Sequence, residues 1–190
     1  QPAPVVPLFE TLADLDSAPE ILSAFLNHPI TRRSLAATEG EAPVQQVMIG
    51  YSDSCKDGGI FSSQWALHRV QGGLAKLAAG LGVEICFFHG RGGTVSRGAG
   101  PTHRFLEALP HGSLCGAIRI TEQGETIAQK YANLPTAGYN LELLMAGVTE
   151  TLHAHSLPHP AMQTTGGDSR EAAYCLMDCL SERSSSAYRA

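Results

Sequence analysis

The sequence predicts an α/β fold, mostly helical, in the form of a partial TIM-like β/α barrel with additional helices. Two observations carry this expectation. Short β-branched or aromatic runs alternate with longer segments of helical periodicity, and each run ends at a polar position: Glu10, Asp53, Arg91 and the surroundings of Arg119. Strands that alternate with helices form parallel sheets with right-handed crossovers, and in a barrel their C-terminal ends meet at one face. The other observation is the stretch from His89 to Arg104. Five of the eleven residues from Gly90 to Gly100 are glycine, and the whole stretch holds three arginines, two histidines and no acid. Four βα units make about half a barrel, so the chain is expected to cover only part of its fold.

The elements follow in order. Val5–Phe9 is a short apolar run closed by Glu10. Ser17-x-x-Glu20 has the form of a capping box with Pro19 in the first turn, and Ile21, Leu22, Phe25 and Leu26 form the apolar stripe of the helix it opens. Residues 28–43 read as a loop or an irregular helix, punctuated by Pro29, Gly40 and Pro43. Gln46–Gly50 is the second strand, and a dense polar turn runs from Tyr51 to Gly59. Leu67, Val70, Leu74, Leu77 and Leu81 mark a helix over about 60–80, with Asp57 as its expected cap. Gly72 and Gly73 weaken its middle by about 1 kcal/mol each relative to Ala, so close packing or a bend is expected there. The third strand is 83–88, followed by the glycine loop and a short helix from Pro101 to about Leu109. Ala117–Ile120 is the fourth strand, and Thr121 and Asn140 are the expected caps of two further helices. Pro158, Pro160 and Gly166-Gly167 mark a loop over 158–169. It separates the barrel piece, 1–157, from a C-terminal helical segment of the same domain, 170–190, whose helix ends near Arg183.

Composition narrows the function classes. In 190 residues, a hydrophobic share of 43% supports a core, while a charged share of 16% is low for an isolated soluble surface and points to cover from elsewhere. A formal charge of −5 sets aside general nucleic-acid binding, because the positive charge is local to one loop. No apolar run reaches the length of a membrane span and no charged-then-apolar leader is present, so neither nucleic acid nor membrane is an expected partner. Five cysteines without a CxxC pair fit a reducing, cytoplasmic setting, and Cys86 reads as a small core residue.

The glycine loop admits two readings, a tight structural turn or an oxyanion grip. Glycines let several backbone N–H groups approach one anion, and the forks of Arg91 and Arg97 match phosphate or carboxylate oxygens. Neither nucleotide motif applies: no Lys follows the glycines, and Gly90-x-Gly92-x-x-Val95 lacks the last glycine of the dinucleotide fingerprint. Glu10 is a surface acid, a cap or a metal ligand; Asp53, between two serines, is a cap or a ligand. Mg²⁺ takes few protein carboxylates and keeps waters and substrate oxygens, so two acids at strand ends beside an arginine loop suit one such cation. Lys56 is either a solvated lysine or a point charge for a small anion. His89 reads as an acid–base group or a hydrogen-bonded scaffold residue. Ser52 and Ser54 have no neighbouring base, and the other histidines lack HExxH spacing.

Pro7-Leu8-Phe9-Glu10-Thr11, Met48-Ile49-Gly50-Tyr51-Ser52-Asp53-Ser54-x-Lys56-Asp57, Phe88-His89-Gly90-Arg91-Gly92-Gly93-Thr94-Val95-x-Arg97-Gly98 and Thr121-Glu122-Gln123-Gly124-Glu125 resemble phosphoenolpyruvate carboxylases, in family order and over nearly the whole chain. The resemblance implies a large cytoplasmic homotetramer on an eight-stranded β/α barrel. Such enzymes make oxaloacetate and phosphate from phosphoenolpyruvate and bicarbonate with Mg²⁺ or Mn²⁺. By resemblance, Glu10 and Asp53 are the metal ligands, and Arg91 lies close to the phosphate. Arg97 serves the substrate and an acidic metabolite inhibitor, and Lys56 belongs to the active face. Gly92, Gly93 and His89 join the substrate-binding set. Ser96 and Ala99 replace the commoner glycines, which restricts the loop. The family's catalytic histidine lies upstream, in a Thr-Ala-His-Pro-Thr-like motif that this sequence lacks. The isolated chain is therefore expected to be inactive. Read from residues alone, two rivals stand: another Mg²⁺-dependent barrel enzyme acting on a phosphorylated acid, and a non-catalytic anion-binding module.

Overall fold

A computed structural model describes residues 5–36, 43–91, 102–122, 124–157 and 167–190, with side chains from 171 onward in the last segment. Four parallel strands form one sheet in chain order: β1 (Leu8–Phe9), β2 (Val44–Gly50), β3 (Glu84–Gly90) and β4 (Arg119–Ile120). The helices between and after them are α1 (Leu12–Asn27), α2 (Pro29–Ala36), α3 (Ser52–Gly80), α4 (Thr102–Glu107), α5 (Gly124–Tyr131), α6 (Leu134–Ser156) and α7 (Gly167–Arg189). The predicted alternation of parallel strands and helices is thus observed, in a chain that is mostly helical.

Side-chain alternation decides which face of the sheet is covered. On one face Val47, Ile49, Ile85 and Phe87 are buried against α1 and α3, through Leu15, Ala18, Leu22, Leu26, Leu67, Val70, Leu74 and Ala78. On the other, Gln46, Met48, Cys86 and Phe88 are only half-buried. Arg119 crosses that second face, donating to Gln46 Oε1 at 2.8 Å and lying 5.6 Å from the Phe88 ring centroid. Cys86, expected in the core, belongs to this face. A smaller cluster of Leu106, Leu109 and Leu114 packs α4 against Leu144, Val148 and Leu152 of α6. Phe105 touches both clusters and joins them.

Several boundaries differ from the sequence expectation, each for a physical reason. α1 starts at Thr11, not Ser17, because Thr11 and Asp14 form the reciprocal capping box. Asp14 accepts from the backbone N–H groups of Glu10 and Thr11, and these bonds hold its carboxyl below the usual range. Pro19 therefore lies inside the helix, where burial of Leu15, Ala18 and Leu22 offsets its missing N–H. Residues 29–36 are helical. α3 is continuous through Gly72-Gly73 and breaks instead at Gly59, where φ is 79°. Asp57 does not cap this helix; its Oδ2 accepts from Leu12 N at 3.1 Å. α6 is capped by Asn133, seven residues before the expected cap, and Asn140 instead reaches back to the Thr136 and Lys130 carbonyls. α7 runs through the serine run to Arg189, held by packing on α3. Of the expected loop over 158–169, residues 158–166 lie outside the described residues and 167–169 already belong to α7.

Candidate active site

The strand register brings the motifs to one edge. Phe9, Ile49, His89 and Ile120 are aligned across the four strands, since Phe9 pairs with Ile49, Ile49 with His89, and His89 with Ile120. The next row therefore begins the loops: Glu10 after β1, Gly50 and Gly90 at the ends of β2 and β3, and Thr121 after β4. Segments scattered over more than 100 residues of sequence meet at the C-terminal edge of the sheet, where the sequence placed them.

Glu10 sits against the end of β2. A Cβ on Gly50 would lie 2.9 Å from Glu10 Cγ and 3.2 Å from its Cα, so only glycine allows this approach. Asp53 stands in the first turn of α3, three residues beyond Gly50. Its Oδ1 receives the Lys56 ammonium at 2.8 Å, and both side chains are well exposed. Glu10 is half-buried. The donor set is two carboxylates at neighbouring strand ends, and among the described residues no group of three or more His, Cys, Asp or Glu is gathered for a metal. Such a set fits a hard cation that completes its octahedron with water and substrate oxygens, and does not fit a structural zinc.

The cationic side is built differently. His89 is 1% exposed and Arg91 7% exposed. The Tyr51 hydroxyl and His89 Nδ1 share a hydrogen bond of 2.9 Å. Phe105 of α4 meets the His89 ring edge to face at 4.9 Å between centroids, and the Arg91 guanidinium lies 4.1 Å above the Phe105 ring. Burial, with a smaller contribution from Arg91, pushes the imidazole pKa down to about 3, so His89 is neutral near pH 7. Burial also raises the Tyr51 phenol and lowers Arg91, an effect that the Tyr51 and Glu122 charges oppose. The His89 ring is enclosed between Tyr51 and Phe105.

Sequence reasoning missed several residues here. Tyr51 and Phe105 complete the aromatic seat of Arg91. Glu122, beside β4, forms an ion pair with Lys130 of α5, whose Nζ also donates to Thr102 Oγ1 at 3.3 Å. The signal for Glu122 was present, since it opens the Thr121–Glu125 motif; a phenylalanine in a short helix carries no such mark. Gly92, Gly93 and Arg97 lie outside the described residues.

A family model described as Phosphoenolpyruvate carboxylase matches residues 1–190. The chain is 50% identical over 187 residues to a phosphoenolpyruvate carboxylase of Methylorubrum extorquens, covering 98% of this chain and 19% of that protein. It is 41% identical over 186 residues to one of Azoarcus sp., covering 97% of this chain and 19% of that protein. The chain thus spans about one fifth of the length of these curated relatives.

Proposed function

The chain belongs to the phosphoenolpyruvate carboxylase family, and from that premise we propose that it supplies part of the active face of an enzyme forming oxaloacetate and phosphate from phosphoenolpyruvate and bicarbonate. The alignment of Glu10, Gly50, Gly90 and Thr121 along one sheet edge carries this reading. It brings a carboxylate pair and a seated arginine to the same side of the fold. The half-covered second face of the sheet is the interior of a β/α barrel that further chain would close.

Glu10 and Asp53 would hold Mg²⁺ or Mn²⁺. When bound, the cation neutralises phosphoryl and enolate oxygens. Arg91, with its guanidinium plane fixed by Phe105, presents its N–H groups to the phosphoryl oxygens of the substrate. Lys56 is a mobile point charge, and transfer of Asp53 to a cation would release its ammonium toward bicarbonate. Arg97 serves the substrate and an acidic metabolite inhibitor, the role that the family resemblance gives it. Bicarbonate attacks phosphorus, giving carboxyphosphate and the enolate of pyruvate; carboxyphosphate then breaks its C–O bond to release phosphate and CO₂, and the enolate carbon adds to CO₂ to form oxaloacetate. The complete protein is a cytoplasmic homotetramer, and the 190-residue chain by itself is inactive. Among the described residues no helix is long and apolar enough to cross a membrane.

The test is phosphate release from phosphoenolpyruvate by the complete enzyme carrying this region. Release should require bicarbonate and a divalent cation, with oxaloacetate formed in equal amount. Binding of phosphoenolpyruvate without turnover would instead favour an anion-binding module.

A further inference from the structure

Of the two proposed metal ligands, Glu10 lies two residues before α1 and Asp53 in the first turn of α3, and one side chain ties the two helix starts together. Asp57, four residues after Asp53, accepts the N–H of Leu12, two residues after Glu10, at 3.1 Å. Leu12 is the first residue of α1, so its N–H has no partner within that helix and needs an outside acceptor. The approach is close. A Cβ on Gly58 would lie 2.4 Å from Leu12 Cδ1, so the start of α1 lies directly on the Asp57–Gly58 turn of α3.

The far side of that turn is held as well. α3 breaks at Gly59, with φ at 79°, a conformation that a residue with a Cβ rarely adopts. The Tyr188 ring of α7 covers the break, 3.1 Å from where a Cβ on Gly59 would stand. The next residue, Arg189, donates Nε to the Asp57 carbonyl at 2.9 Å. Asp57 is thus fixed through its carbonyl by α7 and spends its carboxylate on α1.

We infer that Asp57 is a positioning residue that sets Glu10 against Asp53, through its bond to Leu12 N and the Gly59 break sealed by α7. This rests on the assignment of Glu10 and Asp53 as ligands. Asp57 binds neither cation nor substrate. Its carboxylate is committed to the backbone, and it fixes how far apart the two ligand-bearing turns sit. Core packing holds the body of α1 on α3, and the Asp57–Leu12 bond acts at the end of that interface nearest Glu10 and Asp53.

Mn²⁺ binding to the complete enzyme, followed by electron paramagnetic resonance, tests this separately from turnover. Asp57→Ala should raise the Mn²⁺ dissociation constant about tenfold, the scale of losing one hydrogen bond to a charged acceptor. Asp57→Asn keeps an acceptor oxygen and should restore most of the affinity. Leu12→Pro removes the donor from the other side. Thr11 already has φ −89° and ψ 165°, the extended conformation that a following proline requires. It should raise the constant similarly, and the double variant Leu12→Pro/Asp57→Ala should be no worse than either single one. Val148→Ala is the structural control. It thins the small cluster between α4 and α6, away from both ligand turns, and should lower Tm without changing Mn²⁺ affinity. If Asp57→Ala and Leu12→Pro lower Tm yet leave Mn²⁺ affinity within twofold of wild type, the tether has no positioning role. If Asp53→Asn also leaves Mn²⁺ affinity unchanged, the metal assignment falls and this inference falls with it.

Discussion

The two halves of the site are held by opposite means. Arg91 is 7% exposed and is seated by side chains: Phe105 beneath it and the His89–Tyr51 pair beside it. Glu10 and Asp53 are placed by the backbone that carries them, the first by the close approach to Gly50 and the second by the first turn of α3, with the Asp57–Leu12 bond tying the two turns together. The difference suits the tasks proposed for them. A buried guanidinium keeps one orientation and loses strength in no competing water contact, whereas a carboxylate pair that exchanges a hydrated cation needs access to solvent. Preorganisation by packing and preorganisation by backbone position therefore coexist a few residues apart.

Substitutions sharpen this contrast, beginning with the largest effect. Asp53→Asn in the complete enzyme should cost more than 100-fold in Mn²⁺ affinity, beyond the 10–100-fold typical of outer-sphere partners; titration calorimetry reads it, and Tm should stay near wild type. Arg91→Lys keeps the charge but loses the fork and the flat stack on Phe105. It should lower kcat/KM about 10- to 100-fold, roughly 1.4–2.7 kcal/mol, with unchanged Mn²⁺ affinity. Phe105→Leu should act in the same direction but less, since a cation–π contact is worth about 0.5–2 kcal/mol. It should also lower Tm, because Phe105 joins the two cores, and Phe105→Tyr should recover most of the activity. Lys56→Met removes an exposed ion pair worth about 0–1 kcal/mol. Tm should barely move, and the loss should appear as a raised KM for bicarbonate.

Acid stability separates the two halves in another way. His89 has its pKa lowered from 6.5 to about 3 by burial, so the unfolded chain binds the proton that the folded chain refuses. The stabilisation is complete above pH 6.5 and declines as pH falls from 6.5 toward 3. Urea melts of the chain with His89→Gln should show a shallower decline over that window. A slope equal to wild type would place the acid-labile proton elsewhere.

Strands, their parallel order and the position of Glu10, Asp53 and Arg91 just past their ends were legible in the sequence, because each depends on local pattern: β-rich runs, then a polar residue, then helical periodicity. What was not legible depends on packing between distant segments. Asp57 looked like a cap for the helix that follows it, yet its partner is 45 residues away at Leu12. The Gly72-Gly73 pair pointed to close packing or a bend, but the bend lies at Gly59, where Tyr188 and Arg189 of the last helix hold it, and a Cβ on Gly72 would meet Pro110 only at an ordinary 3.5 Å. The capping box at Ser17 was outcompeted by Thr11 and Asp14, whose helix buries Leu15 and Ala18. Phe105 offered no pattern at all, since an aromatic residue beneath an arginine is defined only by the fold.

The central claim is that the carboxylate pair and Arg91 serve one ligand on one face. Paramagnetic relaxation of the ³¹P nucleus of bound phosphoenolpyruvate by Mn²⁺ in the complete enzyme measures this directly. The account predicts strong enhancement in wild type, its loss in Asp53→Asn, and retained Mn²⁺ binding with weakened enhancement in Arg91→Lys. Strong enhancement persisting in Asp53→Asn, or none in a wild-type enzyme that binds both Mn²⁺ and phosphoenolpyruvate, would contradict a single shared site.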